Sequence, residues 1–133
     1  MSEQPVTKKK IMIVDDDKFL LDMYSLKFSK TGYEVETSDS TDTALKKIQA
    51  GYTPDVLLVD IVMPGMDGID FVAVLRKEKL VPRAIIIMLT NQGTSEDIGH
   101  SQKLDVDGYI VKATTIPSEV LEQVKKICAS KKA

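Results

Sequence analysis

Leu57-Leu58-Val59-Asp60-Ile61-Val62-Met63-Pro64-Gly65 delivers one carboxylate to the end of an apolar run and then turns the chain away. An unbroken apolar run before an acid reads as a strand buried on both faces, the pattern of a parallel sheet covered by helices. A charge at the tip of such a strand is costly unless it is paired or metal-bound. Candidate partners end other apolar runs. Asp15 and Asp16 follow Ile11-Met12-Ile13-Val14, Thr90 follows Ala84 to Leu89, and Lys112 follows Tyr109-Ile110-Val111.

Working outward, the remaining segments alternate between helical and strand patterns. Residues 1–9 read as a disordered lead-in, and the lysines at 8, 9 and 10 as a solvated strand entry. A helix is expected from about Lys18 to Lys30, with Leu20, Tyr24 and Phe28 at four-residue spacing and Met23 beside them. Phe19 and Leu26 lie elsewhere around it, as edge cover or as a docking face. Gly32 ends it. Residues 33–37 alternate apolar and polar, which places that strand at a sheet edge. Ser40-Thr41-Asp42 caps a helix to about Ala50, with Ala44, Leu45 and Ile48 inward. After the central strand, a helix from about Ile69 to Lys79 offers Phe71, Val72 and Leu75 to the core. A weaker helix is expected near 95–104, where Gly99 costs about 1 kcal/mol relative to Ala. Pro117 suits the first turn of the last helix, which carries Val120, Leu121, Val124 and Ile127.

The chain has 133 residues, 43% hydrophobic and 29% charged, with 18 basic against 20 acidic residues and a net charge of −2. That fits one soluble domain able to bury a core, and bulk charge gives no reason to expect nucleic-acid or membrane binding. Cys128 is alone, so no internal disulfide forms; together with a polar N-terminus this makes a cytoplasmic location the expectation.

Five strands alternating with five helices predict a parallel sheet with helices on both faces. Ligands of such sheets bind beyond the carboxyl ends of the strands. Asp15, Asp16, Asp60, Thr90 and Lys112 therefore converge, although they span most of the chain. Three carboxylates form an all-oxygen site suited to a small hard cation, Mg²⁺ first, with Mn²⁺ also compatible by ligand type. No Cys or His joins them, which argues against zinc. A carboxylate beside a cation, an ammonium and a hydroxyl is equipped to accept a phosphoryl group.

Val14-Asp15-Asp16, Val59-Asp60 with Met63-Pro64-Gly65 and Asp67-Gly68, Leu89-Thr90 and Tyr109-Ile110-Val111-Lys112 together resemble the receiver domain of two-component response regulators, chemotaxis regulators included. The resemblance covers about residues 10–130. It implies a flavodoxin-like, doubly wound five-stranded sheet in the order 2-1-3-4-5. It implies Asp60 as phospho-acceptor and Mg²⁺ held by Asp15, Asp16, Asp60 and the Val62 backbone carbonyl. It also implies Lys112 and Thr90 against the phosphate, and Thr90 with Tyr109 as the switch. The domain would catalyse its own phosphorylation and dephosphorylation. A sensor histidine kinase or His phosphotransfer protein would be the donor, with an unidentified protein as target and homodimerisation on phosphorylation as a further expectation. A stand-alone receiver and a fragment of a longer regulator fit equally.

Other residues have simpler readings. Asp17 and Asp67 are expected as helix caps, Cys128 as half-buried packing and His100 as an exposed side chain. Two departures from the family pattern matter. Ala113 follows Lys112 where the family has proline and a cis bond; a non-proline cis bond costs about 2.5–4 kcal/mol. Val62 stands where relatives are often polar, which leaves Gln92 as the nearby polar side chain and predicts slow loss of phosphate. Two other classes of protein compete. An aspartate-nucleophile hydrolase of the haloacid-dehalogenase type needs a second acid at 62 and a cap domain. A degenerate receiver would bind partners without phosphorylation.

Overall fold

The computed structural model describes residues 9–90, 106–112 and 115–131. In chain order they form β1 (Lys10–Val14), α1 (Lys18–Lys30), β2 (Glu34–Ser38), α2 (Thr41–Gln49), β3 (Val56–Asp60), α3 (Gly68–Lys77), β4 (Ile85–Thr90), β5 (Gly108–Val111) and α4 (Pro117–Lys131). All strands pair in parallel in the order β2-β1-β3-β4-β5, as expected. Four of the five expected helices are among the described residues. The one expected near 95–104 lies outside them, as do His100, Gln92, Ala113 and most of the lead-in.

β1 and β3 owe their central positions to their continuous apolar runs, which are fully buried from Ile11 to Val14 and from Val56 to Asp60. β2 is an edge strand with exposed or half-buried residues up to Ser38. Alternation within each strand sends side chains to two separate cores. Ile11, Ile13, Leu58, Ile87 and Leu89 meet Leu21, Tyr24 and Phe28 of α1 and Val120 and Val124 of α4. Met12, Val14, Leu57, Val59 and Met88 meet Ala44 and Ile48 of α2 and Phe71, Val72 and Leu75 of α3. Phe28 and Phe71 are fully buried, one in each core. Burying a side chain of that size contributes roughly 1.5–3 kcal/mol.

Local chemistry fixes where the helices begin and end. Asp17, Ser40 and Asp67 each occupy an N-cap and accept from the backbone N–H three residues on. Gly32 and Gly51 follow α1 and α2 with positive φ, which glycine adopts without a Cβ clash. α3 stops at Lys77, two residues before the expected end, because Lys79 has turned to φ 56°. On α1, Leu21 takes the core position expected of Leu20, which is half-buried. Cys128 is buried against the α1 side.

One buried hydroxyl stands out at the end of β2. Ser38 is 4% exposed, and its Oγ meets no hydrogen-bond partner among the described residues. A buried unpaired hydroxyl costs about 1–3 kcal/mol of desolvation. Ser38→Ala is therefore expected to stabilise the protein, by about 1 kcal/mol, read as a higher urea midpoint at unchanged slope. A lower midpoint would mean that the hydroxyl is satisfied in solution.

Candidate phosphoryl-acceptor site

The carboxyl ends of β1, β3, β4 and β5 bring the expected residues to one edge. Asp15 continues β1, and its N–H donates to the Ser38 carbonyl oxygen at 3.1 Å. Its Oδ1 accepts from the Asp17 N–H at 2.9 Å, which turns the chain into α1. Asp60 closes β3 and is buried; its Oδ1 accepts from the Val62 N–H at 3.2 Å. Thr90 closes β4 and is buried. Lys112 follows β5 and reaches across the sheet, donating from Nζ to Asp15 Oδ2 and to Asp60 Oδ2, both at 2.8 Å. Tyr109 on β5 is half-buried and packs against the α2–α3 core.

Asp15, Asp16 and Asp60 each present one carboxylate oxygen, and these oxygens lie within 4.8 Å of one another; Asp15 and Asp60 are buried, Asp16 exposed. Three carboxylates thus face one ammonium, leaving two formal negative charges. All-oxygen donors with that residual charge fit a divalent hard cation. Burial raises the Asp60 pKa above the ordinary carboxylate value, Lys112 opposes that rise, and the Asp15 charge adds to it. Burial would lower the Lys112 pKa, but its hydrogen bonds to Asp15 and Asp60 and their charges outweigh this and raise it. Tyr24, buried under the site, has its phenol pushed up to about 12, by burial first and by the Asp15 charge second.

The loop after Asp60 is folded tightly back on the strand. The Gly68 N–H donates to the Ile61 carbonyl oxygen at 2.8 Å. A Cβ on Gly68 would collide with the Asp60 carbonyl oxygen, so glycine is required here by close backbone approach rather than by its torsion angle. Met63 is buried, while Val62 is 58% exposed. Two further contributors escaped sequence reasoning. Thr41 of α2 is buried and donates its hydroxyl to the Met66 carbonyl oxygen at 2.6 Å. Lys112 also binds Asp15 directly, besides Asp60. Neither has a local signal, since each joins residues far apart in the chain.

A five-stranded parallel sheet with an acidic, lysine-bridged cluster at its carboxyl edge defines a doubly wound α/β domain whose cluster can hold a hard cation. The family model for the response regulator receiver domain matches residues 11–125, and the chain belongs to that family. It is 34% identical over 119 residues to the alkaline phosphatase synthesis transcriptional regulatory protein PhoP of Bacillus subtilis (strain 168), covering 90% of this chain and 48% of that protein. To the transcriptional regulatory protein ResD of the same organism it is 33% identical over 119 residues, covering 89% and 47%. The chain therefore spans about half the length of the curated relatives it matches. Its structure resembles that of the chemotaxis response regulator CheY4 of Vibrio cholerae, with a TM-score of 0.83, 30% identity and coverage of 91% and 99%. A CheY-like receiver domain protein of Methanospirillum hungatei JF-1 has a TM-score of 0.83, 31% identity and coverage of 95% and 98%. Receiver domains of two-component systems are phosphorylated on an aspartate by histidine kinases or phosphotransfer proteins and bind Mg²⁺ through acidic residues. Among the described residues no helix is long and apolar enough to cross a membrane.

Proposed function

We propose that residues 10–130 act as a receiver whose phospho-acceptor is Asp60. The observation that carries this is the pair of 2.8 Å bonds from Lys112 Nζ, which hold Asp60 beside Asp15 at the sheet's carboxyl edge. Asp15, Asp16, Asp60 and the Val62 carbonyl would hold Mg²⁺, which would supply positive charge against the phosphoryl oxygens. Mn²⁺ offers the same charge with the same ligand preference and is the comparison ion.

An Asp60 carboxylate oxygen attacks phosphorus, forming an O–P bond. The N–P bond of the donor phosphohistidine breaks, and its electron pair returns to the imidazole nitrogen. Lys112 exchanges a carboxylate contact for a phosphoryl oxygen and so follows the charge. Thr90, beside Asp60 on the neighbouring strand, donates its hydroxyl to a second phosphoryl oxygen, and Tyr109 packs behind it as the signal reaches the surface. Phe19 at the start of α1 and Ile116 before α4 are 70% and 61% exposed, and both belong to segments at the site's edge of the sheet. They are the apolar contacts offered to a histidine kinase or phosphotransfer protein.

Intact mass after incubation with acetyl phosphate and Mg²⁺ tests this reading, because acetate then leaves in place of imidazole. Wild type is expected to gain one phosphoryl group, and Asp60→Asn none. An equal gain in Asp60→Asn would remove Asp60 as the acceptor. Mg²⁺ binding without any gain would favour a phosphorylation-independent binding module.

A further inference from the structure

The loop from Ile61 to Asp67 carries Val62, and its two ends are fixed by neighbouring elements. Ile61 N–H donates to the Leu89 carbonyl oxygen at 2.9 Å, and Asp67 caps α3. Between them, the Val62 N–H is bound to Asp60 itself. The far half is tied by Thr41, the first residue of α2, whose hydroxyl reaches the Met66 carbonyl oxygen at 2.6 Å from 25 residues away in the chain. Thr41 is 1% exposed, so its hydroxyl has been taken out of water to make that bond. Such a tie is worth more than an exposed one, since its loss leaves a partly buried carbonyl unmatched.

We propose that Thr41 is a positioning residue of the acceptor site: its hydroxyl holds the β3–α3 loop in the setting that places the Val62 carbonyl with the carboxylates of Asp15, Asp16 and Asp60. The inference rests on the reading of that site given above. Mg²⁺ demands near-ideal octahedral geometry, so it is sensitive to small displacements of a loop carbonyl. Thr41 touches neither the cation nor the phosphoryl group. It acts through Met66 and the backbone between Met66 and Val62. It also makes α2 part of the site's support, although α2 contributes no ligand.

The test is calorimetric titration of the full chain with MgCl₂, comparing wild type with Thr41→Val, which keeps the shape and removes the hydroxyl, and Thr41→Ser, which keeps the hydroxyl. Thr41→Val is expected to weaken Mg²⁺ binding by roughly fivefold or more, as a lost buried hydrogen bond can. Thr41→Ser is expected to stay within about twofold of wild type. Urea unfolding of the same samples separates lost affinity from lost stability. If Thr41→Val does not fold, Thr41→Ala takes its place in the same comparison. Wild-type affinity in the hydroxyl-free variant overturns the proposal, and so does a Thr41→Ser affinity as weak as that of Thr41→Val. Absence of Mg²⁺ binding by wild type overturns the reading of the site itself, and the role of Thr41 with it.

Discussion

Lys112→Met is expected to lose about 3–5 kcal/mol of stability in divalent-free buffer at neutral pH. The methylene stem is largely preserved, so the loss falls on the charge. Asp15 and Asp60 are 0% and 1% exposed and share this ammonium through bonds of 2.8 Å. Removing it leaves two buried carboxylates without their counter-charge, a more serious fault than breaking a surface pair. Two conditions should restore much of the loss. Mg²⁺ bound by the folded state alone, at a hundredfold excess over its dissociation constant, would add about 2.7 kcal/mol. Mild acid should also help. The folded-state pKa of Asp60 is raised, so between the unfolded and folded values the native state binds more protons, and stability falls as pH rises through that window. The penalty is fully present above the folded pKa and is relieved as pH drops towards the unfolded value. Without Lys112, which opposes the rise, the window widens upward. Urea unfolding with EDTA, with Mg²⁺ and across pH measures all three effects. A variant as stable as wild type in EDTA would mean that the two carboxylates do not depend on this lysine.

The phosphorylated form is expected to decay slowly, and Val62→Asn to speed that decay by about tenfold or more, short of the 10²–10⁴ that well-placed proton-handling groups reach. Val62 is 58% exposed, and its N–H already binds Asp60 Oδ1 at 3.2 Å, so the residue adjoins Asp60 and is open to solvent. An isopropyl group there can neither donate to nor accept from an attacking water. A carboxamide can do both, with no change of charge. Intact mass followed after removal of acetyl phosphate gives the rate directly. A wild-type half-life of seconds, or an unchanged rate in Val62→Asn, would show that position 62 does not control the water.

The helix caps and the buried strands were legible because they depend on short-range chemistry, whereas the strand order came from the family resemblance, with only the edge position of β2 read from its alternation. The apolar runs of β1 and β3 announce burial on both faces, and Asp17, Ser40 and Asp67 each bind an N–H only three residues away. The site followed from the topology, since residues that end parallel strands must share one edge. Register around α1 was harder. Leu20 and Leu21 are equally apolar neighbours, and tertiary packing alone chose Leu21 for the core. The end of α3 depended on the left-handed turn at Lys79, for which a lysine carries no marker. The hydroxyls of Thr41 and Ser38 were silent for the same reason. One finds a carbonyl on a distant loop and the other finds no partner among the described residues, and threonine and serine look alike in either case.

The Lys112 bridge also bears on the order in which the chain acquires its properties. Its two bonds close over sequence separations of 97 and 52 residues, and Lys112 itself follows the fifth of five strands. Contacts this remote form late, because the entropy of closing long loops must be met before they contribute. A nascent chain that has emerged only through β4 carries Asp15 and Asp60 but not their shared cation. During synthesis the acidic pocket therefore opposes collapse of the N-terminal four strands, and the arrival of β5 turns that opposition into a lock. Completion of the sheet and neutralisation of the two carboxylates are reached in the same step.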